Sequence, residues 1–508
     1  MIHAFQVISF FMLFLLLACF PVKGGEEEGT LSIAWESQVR TFDPRMAVDA
    51  NSQYLEDLLH CSLISFDHKG ESVPILASET PKWDSDTKLL VTIRKDARFS
   101  DGSIVRAADV VATYQSLLKN QSFARSMAFR DIEEVKVKGD LQVEFTLKQP
   151  DATFVSNLVV GILPEKIIKK ADADISTSPG CGPFVIAKQT VNELTLVPNP
   201  HYSLSSKPKI PKVSIKIVRS EHTRFAKLRA GEIDIAQNNI NRDTIEDVTR
   251  RYPNLEVLTQ SALKTTYVGF NMKDPLTSKQ KVRLAIAHAI DRPSIIKLLL
   301  AGLAEPANSL LPPKSFFYSD EVENPEYNPN LAEKILDEAG FKRDGKYRFR
   351  LSYKTTVDAT RINIARAIAS QLRKVGIEVL VEPMEWGRFK QDIEAGRVQM
   401  WGLTWVGFKD PDIFRYAFSS ETIPPNGGNR GHYNNPKIDK LLNLGRITVD
   451  QKKRKEIYEE VQNILSKELP YIFLWHEQNF AVINKKVKGF KLYADGRLSS
   501  LSEVSLQK

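Results

Sequence analysis

The chain is poor in the residues that hold metals and redox centres. It has 3 cysteines and 8 histidines in 508 residues. No C-x-x-C pair and no His/Cys cluster occurs, which argues against a zinc site, a redox motif or a disulfide-built scaffold. Glycine (25) and proline (26) stand at ordinary shares, so no collagen-like rod or low-complexity linker is present. Long apolar runs are missing beyond one N-terminal stretch, which excludes a multi-span membrane protein. The charge is not one-sided: 70 Lys+Arg against 62 Asp+Glu leaves +8, dispersed along the chain. That mild bias does not point to nucleic acid. The catalytic signatures G-x-S-x-G, G-x-x-x-x-G-K-[ST] and G-x-G-x-x-G are absent, and His476-Glu477 lacks the second His of a zinc-protease motif. What remains is a globular composition, 42% apolar and 26% charged, long enough for two or three domains.

Residues 2–22 carry no formal charge apart from His3, and Phe10 to Ala18 is almost entirely Phe, Met and Leu. This core falls short of the ~20 apolar residues that a membrane span needs and reads as a signal peptide over residues 1–18. Leu16-Leu17-Ala18-Cys19 resembles the bacterial lipoprotein box, in which cleavage precedes a lipidated cysteine. Lipid chains at ~0.8 kcal/mol per buried CH₂ anchor such a protein stably. Residues 19–29, polar and rich in Gly and Glu, then read as a tether. No Lys or Arg precedes the apolar core, unlike most bacterial signals, and an ordinary cleaved signal is the alternative. Export permits a disulfide between Cys61 and Cys181. They lie 120 residues apart and nothing in the spacing brings them together, so two separate buried thiols are the expectation.

Periodicity alternates between strand and helix. Leu31 to Trp35, Leu89 to Ile93, Leu141 to Leu147 and Val213 to Val218 read as strands. Val282, Ala285, Ile286, Ala289 and Ile290 form one helical face, with Thr277 or Ser278 available as cap. Asp291-Arg292-Pro293 stops that helix and starts another, which Gly302 ends. Ala332 to Ala339 gives a short helix closed by Gly340. Phe349 to Tyr353, Ile362 to Leu372 and Ile377 to Val381 read as a βαβ unit, which implies a parallel pair. Lys452 to Leu465 is a charged amphipathic helix. The fold class is α/β.

Several segments, in order, resemble solute-binding protein family 5, the dipeptide/oligopeptide-binding group of ABC importers. The strongest is Leu89 to Val111: an alternating strand ending at Arg94, a turn at Asp101-Gly102 and a helix opened by Ala107-Ala108-Asp109. Gly180-Cys181-Gly182-Pro183-Phe184 resembles G-T-G-P-Y, and Asn199-Pro200-His201-Tyr202 resembles N-P-x-Y. Gly231-Glu232-Ile233-Asp234, Val282-Arg283 through Asp291-Arg292, Asn328-Pro329 through Phe341, and Tyr433-Asn434-Asn435-Pro436 with Asp439 follow. The resemblance implies a two-lobe periplasmic-binding-protein-like fold of the large peptide-binder type. Residues 30–62, 185–272 and 479–508 would form the first lobe, 63–184 a subdomain inserted in it, and 273–478 the second lobe. The chain would cross near Gly269-Phe270-Asn271 and near Glu477-Gln478-Asn479, and the lobes would close on a ligand.

Peptide-binding members carry an x-G-W-x-x-D segment whose backbone pairs with the ligand and whose Asp meets its α-ammonium. The equivalent here is Leu403-Thr404-Trp405-Val406-Gly407-Phe408-Lys409-Asp410-Pro411. Phe408 stands where that Asp is expected, and the loop is shorter. A buried ammonium without its carboxylate costs several kcal/mol. Either Asp410 takes the role, or the ligand has no free amino group there, or another acid supplies the charge while Phe408 packs in the second lobe. Trp405, Trp386 and Phe408 are candidates for an aromatic pocket, although Trp386 equally fits a staple onto Phe389 and Ile393. Arg430, in the Gly-rich loop 426–431, is either a carboxylate or phosphate clamp or an exposed loop charge. Cys181 replaces a family Thr and would lie near the cleft.

The resemblance implies a lipid-anchored receptor at the outer face of the cytoplasmic membrane or in the periplasm. It would be monomeric, use no cofactor and no metal, and deliver a peptide-like solute to a permease. An exported enzyme or a ligand sensor using the same cleft is the alternative.

Overall fold

The computed structural model describes residues 29–507, apart from 69, 171–173, 241–243 and 324. The expected signal peptide, Cys19 and the tether up to residue 28 lie outside them. No helix among the described residues is long and apolar enough to cross a membrane.

One 11-stranded sheet runs through the molecule. Its first half consists of Thr30–Trp35 between two parallel neighbours, Lys212–Ile217 and Ile235–Gln237, with Glu193–Pro198 and Phe184–Gln189 added antiparallel. Its second half is the strand Phe349–Thr356 between Ile377–Met384 and Met400–Val406, again parallel. The expected βαβ unit is therefore present, with helix Ala359–Lys374 as its crossover. Leu31, Ile33, Ile215 and Ile235 build one core, and Leu351, Ile368, Leu372 and Ile377 build another.

Two long strands join the halves. Leu255–Phe270 and Tyr471–Asn484 pair antiparallel along almost their whole length. The ladder makes its larger register shift between Ser261 and Thr265, opposite Gln478 and His476, and a smaller one between Thr266 and Tyr267. Before the shift the strands adjoin the first half of the sheet through Ile235–Gln237. After it, from Lys264 onward, they adjoin the second half through Met400–Val406. The change of partner thus falls upstream of Gly269-Phe270-Asn271.

A separate four-stranded antiparallel sheet, covered by helix Ala107–Lys119, has its own core around Val91, Tyr114 and Phe145. Cys61 and Cys181 lie at its border with the first half and form a disulfide, Cα–Cα 5.2 Å. The expectation of two separate thiols is corrected. The cause is a close backbone approach: Gly182 N–H donates to the Leu59 carbonyl at 2.9 Å, and a Cβ on Gly180 would fall 1.9 Å from that same oxygen. Only glycines allow it. The helix expected from Val282 begins at Gln280 without a side-chain cap. Thr277 is buried and donates instead to the Asn271 carbonyl at 2.8 Å.

Candidate functional site

The strand Met400–Val406 sends alternate side chains to opposite faces. Gly402 admits the Tyr353 hydroxyl, which would lie 2.2 Å from a Cβ there. Thr404 and Trp405 therefore face different surroundings.

On the Thr404 face, its hydroxyl meets the Thr266 hydroxyl at 2.7 Å. Thr266 reaches Glu477 at 3.2 Å, and Arg361 donates to Thr404 at 3.4 Å. These residues border a cavity of about 660 Å³. Glu221 and Ile240 close it from the first half, and Asp358, Tyr353 and Trp475 from the second. Glu221 and Ile240 follow the carboxyl ends of Lys212–Ile217 and Ile235–Gln237; Asp358 follows that of Phe349–Thr356. Carboxyl ends of parallel strands are where open α/β sheets receive ligands.

On the Trp405 face, the indole stacks 6.1 Å from Tyr267, stands edge-on to Tyr416 at 5.7 Å and lies under the Arg430 guanidinium at 5.0 Å. The structure thus brings Trp405 and Arg430 together. Trp386 is elsewhere. It is the first residue of helix Trp386–Glu394, 54% exposed, with its ring 6.0 Å from Phe389.

The strand continues into residues 407–410, which meet the first half. Gly407 N–H donates to the Leu263 carbonyl at 2.8 Å. Phe408 is 7% exposed and belongs to an apolar cluster of the second half with Phe414 and Phe418. It also borders a small gap with Leu263 and Ala494. Asp410 holds Arg454 through two bonds, 2.8 and 2.6 Å, so its carboxylate already carries a cation. Lys409 crosses to the first half: its ammonium lies 3.2 Å from Asp495 and 4.5 Å from the centre of the Phe66 ring. Burial pushes the Lys409 pKa down, and Arg497 adds to that. Burial alone would raise Asp495, but Arg497 and Lys409 outweigh it and hold it low. This loop, Asp57, Ser156 and Arg497 enclose a second cavity of about 330 Å³.

Glu56 borders that cavity. It accepts from Arg125 at 2.9 and 2.8 Å and from Gly161 N–H at 2.8 Å. Burial raises its pKa from 4.5 to about 7, with Arg125 pulling the other way. Between these values the folded carboxyl keeps a proton that the unfolded chain releases. Its contribution to stability is full below 4.5 and lost as pH rises through about 7. Denaturation of wild type and Glu56→Gln over this range should show their difference moving in the variant's favour by ~3 kcal/mol. A constant difference would refute the shifted titration.

No group of His, Cys, Asp and Glu among the described residues is arranged to hold a metal ion. Cys181, expected near the cleft, is locked in its disulfide and borders a separate cavity of about 180 Å³ with Tyr202 and Tyr493. Sequence reasoning missed Lys409, Asp495 and Arg454. Nothing local signals pairings across 86 and 44 residues. The alternation of Thr404 and Trp405 was the available clue to two faces.

The model of the bacterial extracellular solute-binding proteins, family 5 (middle), matches residues 71–426. The chain belongs to this family. As a family 5 member it is similar to the oligopeptide-binding protein AppA of Bacillus subtilis (strain 168), 28% identical over 519 residues covering 96% of this chain and 93% of that protein. It is similar also to protein XP55 of Streptomyces lividans, 31% identical over 500 residues, 94% of this chain and 89% of that protein. The solved structure of Bacillus subtilis AppA with a nonapeptide superposes with a TM-score of 0.71 at 26% identity, covering 94% of this chain and 99% of that one. The two-lobe fold of this extracellular solute-binding protein thus accords with the sheet described above.

Proposed function

We propose that the chain is the receptor of an ABC importer and captures a peptide or peptide-sized solute between two closing lobes, without chemical conversion. The observation that carries this is the cavity of about 660 Å³ set between the carboxyl ends of parallel strands from both halves, a size suited to small ligands. The AppA relative is named for oligopeptides and is solved with a nonapeptide. The first lobe comprises residues 30–62, 185–272 and 479–508 with 63–184 inserted, the second 273–478, and the bend lies at 261–265. Thr404 lines the main cavity, and Trp405, Arg430, Phe408 and Asp410 shape the adjoining face and loop. Trp386, half exposed at a helix start, is the outermost candidate. Asp410 is held by Arg454, so it is not the partner of a ligand ammonium, and the ligand meets the 407–410 loop through other groups. The protein works as a monomer with no cofactor, anchored through Cys19 outside the cytoplasmic membrane, and hands its solute to the permease.

Native mass spectrometry of the purified protein tests this. The expected result is a non-covalent peptide-sized adduct that exchanges with added peptides and leaves with unchanged mass. Release of a chemically altered compound, or no binding across a peptide panel, would overturn the proposal.

A further inference from the structure

The two halves also meet through residues outside the ribbon that joins them. Helix Pro436–Ile447 of the second half ends against the four-stranded subdomain. The last carbonyls of a helix have no partner within it. Here the Gly445 carbonyl accepts from Arg454 Nε at 2.8 Å, and the Arg446 carbonyl accepts from the Ala152 N–H at 2.8 Å. A second-half helix is thus capped by a backbone donor of the subdomain. The Arg446 side chain repeats the crossing. Its guanidinium lies 3.4 Å from Asp131 and 3.9 Å from Asp151. Asp131 directly precedes the strand Ile132–Gly139, and Asp151 follows the strand Gln142–Leu147. Asp151 is buried, and its other oxygen accepts from the Thr153 N–H and hydroxyl at 2.9 and 2.7 Å. On its own side Arg446 lies near Asp412, whose raised pKa it pulls down.

None of Asp131, Asp151, Ala152 and Arg446 borders the cavities of about 660 and 330 Å³. Thr153, next in the chain after Ala152, borders the smaller one. The contact therefore stands beside the cavity and is made by the protein with itself. A contact that exists only when the halves are together favours the closed arrangement whatever the solute is. Charges partly removed from water are also screened less by salt than fully exposed ones. We infer that Arg446, with Asp131, Asp151 and the Ala152 amide, is a clasp that holds the closed form and slows release of the solute. Opening breaks the backbone bond and the ion pairs together, and a neutral residue at 446 removes only the ion pairs. The clasp rests on the two-lobe receptor reading for the motion it restrains.

Stopped-flow fluorescence with trialanine and small-angle X-ray scattering test the clasp. The proteins are wild type, Arg446→Gln, Asp131→Asn/Asp151→Asn and the triple variant, each of confirmed fold. Asparagine at 151 keeps an oxygen for the Thr153 bonds. Trialanine should leave Arg446→Gln about fivefold faster than wild type, with its association rate little changed. Sodium chloride should speed release from wild type but not from Arg446→Gln. The asparagine pair should match Arg446→Gln, and the triple variant should add nothing, because all three residues share one interaction. A second arm needs no peptide. The radius of gyration of wild type should rise with salt, and that of Arg446→Gln should stand at the higher value throughout. Equal release rates and equal radii in wild type and Arg446→Gln overturn the clasp. Effects of the two sides that add in the triple variant overturn it as well. If trialanine binds none of the proteins while the radii behave as expected, the failure is that of the peptide reading and the clasp stands.

Discussion

Arg454→Met should destabilise the protein by ~3–5 kcal/mol, the usual cost of removing one partner of a buried ion pair. Arg454 is 1% exposed. It reaches Asp410 through both terminal nitrogens and donates through Nε to the Gly445 carbonyl at 2.8 Å. Without it, the Asp410 carboxylate stays beside Asp412, whose pKa burial and Asp410 already push up to about 6. Asp410 would then face Asp412 with its own cation gone, while Asp412 keeps Arg415 and Arg446 nearby. Denaturant titration should show the loss, and the double variant Asp410→Asn/Arg454→Met should recover part of it, because the two residues share one interaction. A loss below ~1 kcal/mol would place this pair among those of surface strength. Since Asp410 ends the loop that begins at Gly407, Arg454→Met should also weaken ligand binding at temperatures where the fold persists.

Replacing Cys61 and Cys181 together by alanine should cost ~2–5 kcal/mol. The bond closes a loop with a sequence separation of 120, and cross-linking so long a segment removes much freedom from the unfolded chain. It also ties the subdomain core around Val91 and Phe145 to the helix Ala50–Leu59. Melting of oxidised wild type, reduced wild type and the double variant separates the bond from the side chains. The reduced protein and the variant should melt together, below the oxidised form. Equal melting of all three would mean that backbone packing of Gly180 and Gly182 against Leu59 alone holds the junction.

Much of the architecture was legible because its signals are local. The βαβ unit at residues 349–384 announced itself through a switch of period from two to 3.6 and back, and Gly340 stands in the left-handed conformation just past its helix. The disulfide was not legible. It depends on how closely Gly180 and Gly182 approach Leu59, a tertiary fact that no spacing rule contains. The geometry of the candidate site was half legible. Trp405 and Arg430 were singled out separately, by a motif and by a glycine-rich loop, and folding stacks one on the other. Asp410 looked available from its position after Lys409, but its partner sits on a helix 44 residues away. Charge pairing over such distances leaves no trace in periodicity, because a lone Arg on a helix reads as surface until its neighbours are known.

Leu255–Phe270 and Tyr471–Asn484 stay laced to each other on both sides of their two register shifts, at Ser261/Thr265 and Thr266/Tyr267. A paired ribbon resists sliding, since any translation would break the rungs of its ladder together. It flexes where the rungs are already interrupted. Any travel of one half of the molecule toward the other would therefore bend the ribbon at these interruptions, like a book turning on its spine. Substitutions that stiffen residues 261–265 would change how fast the pages turn rather than where they meet.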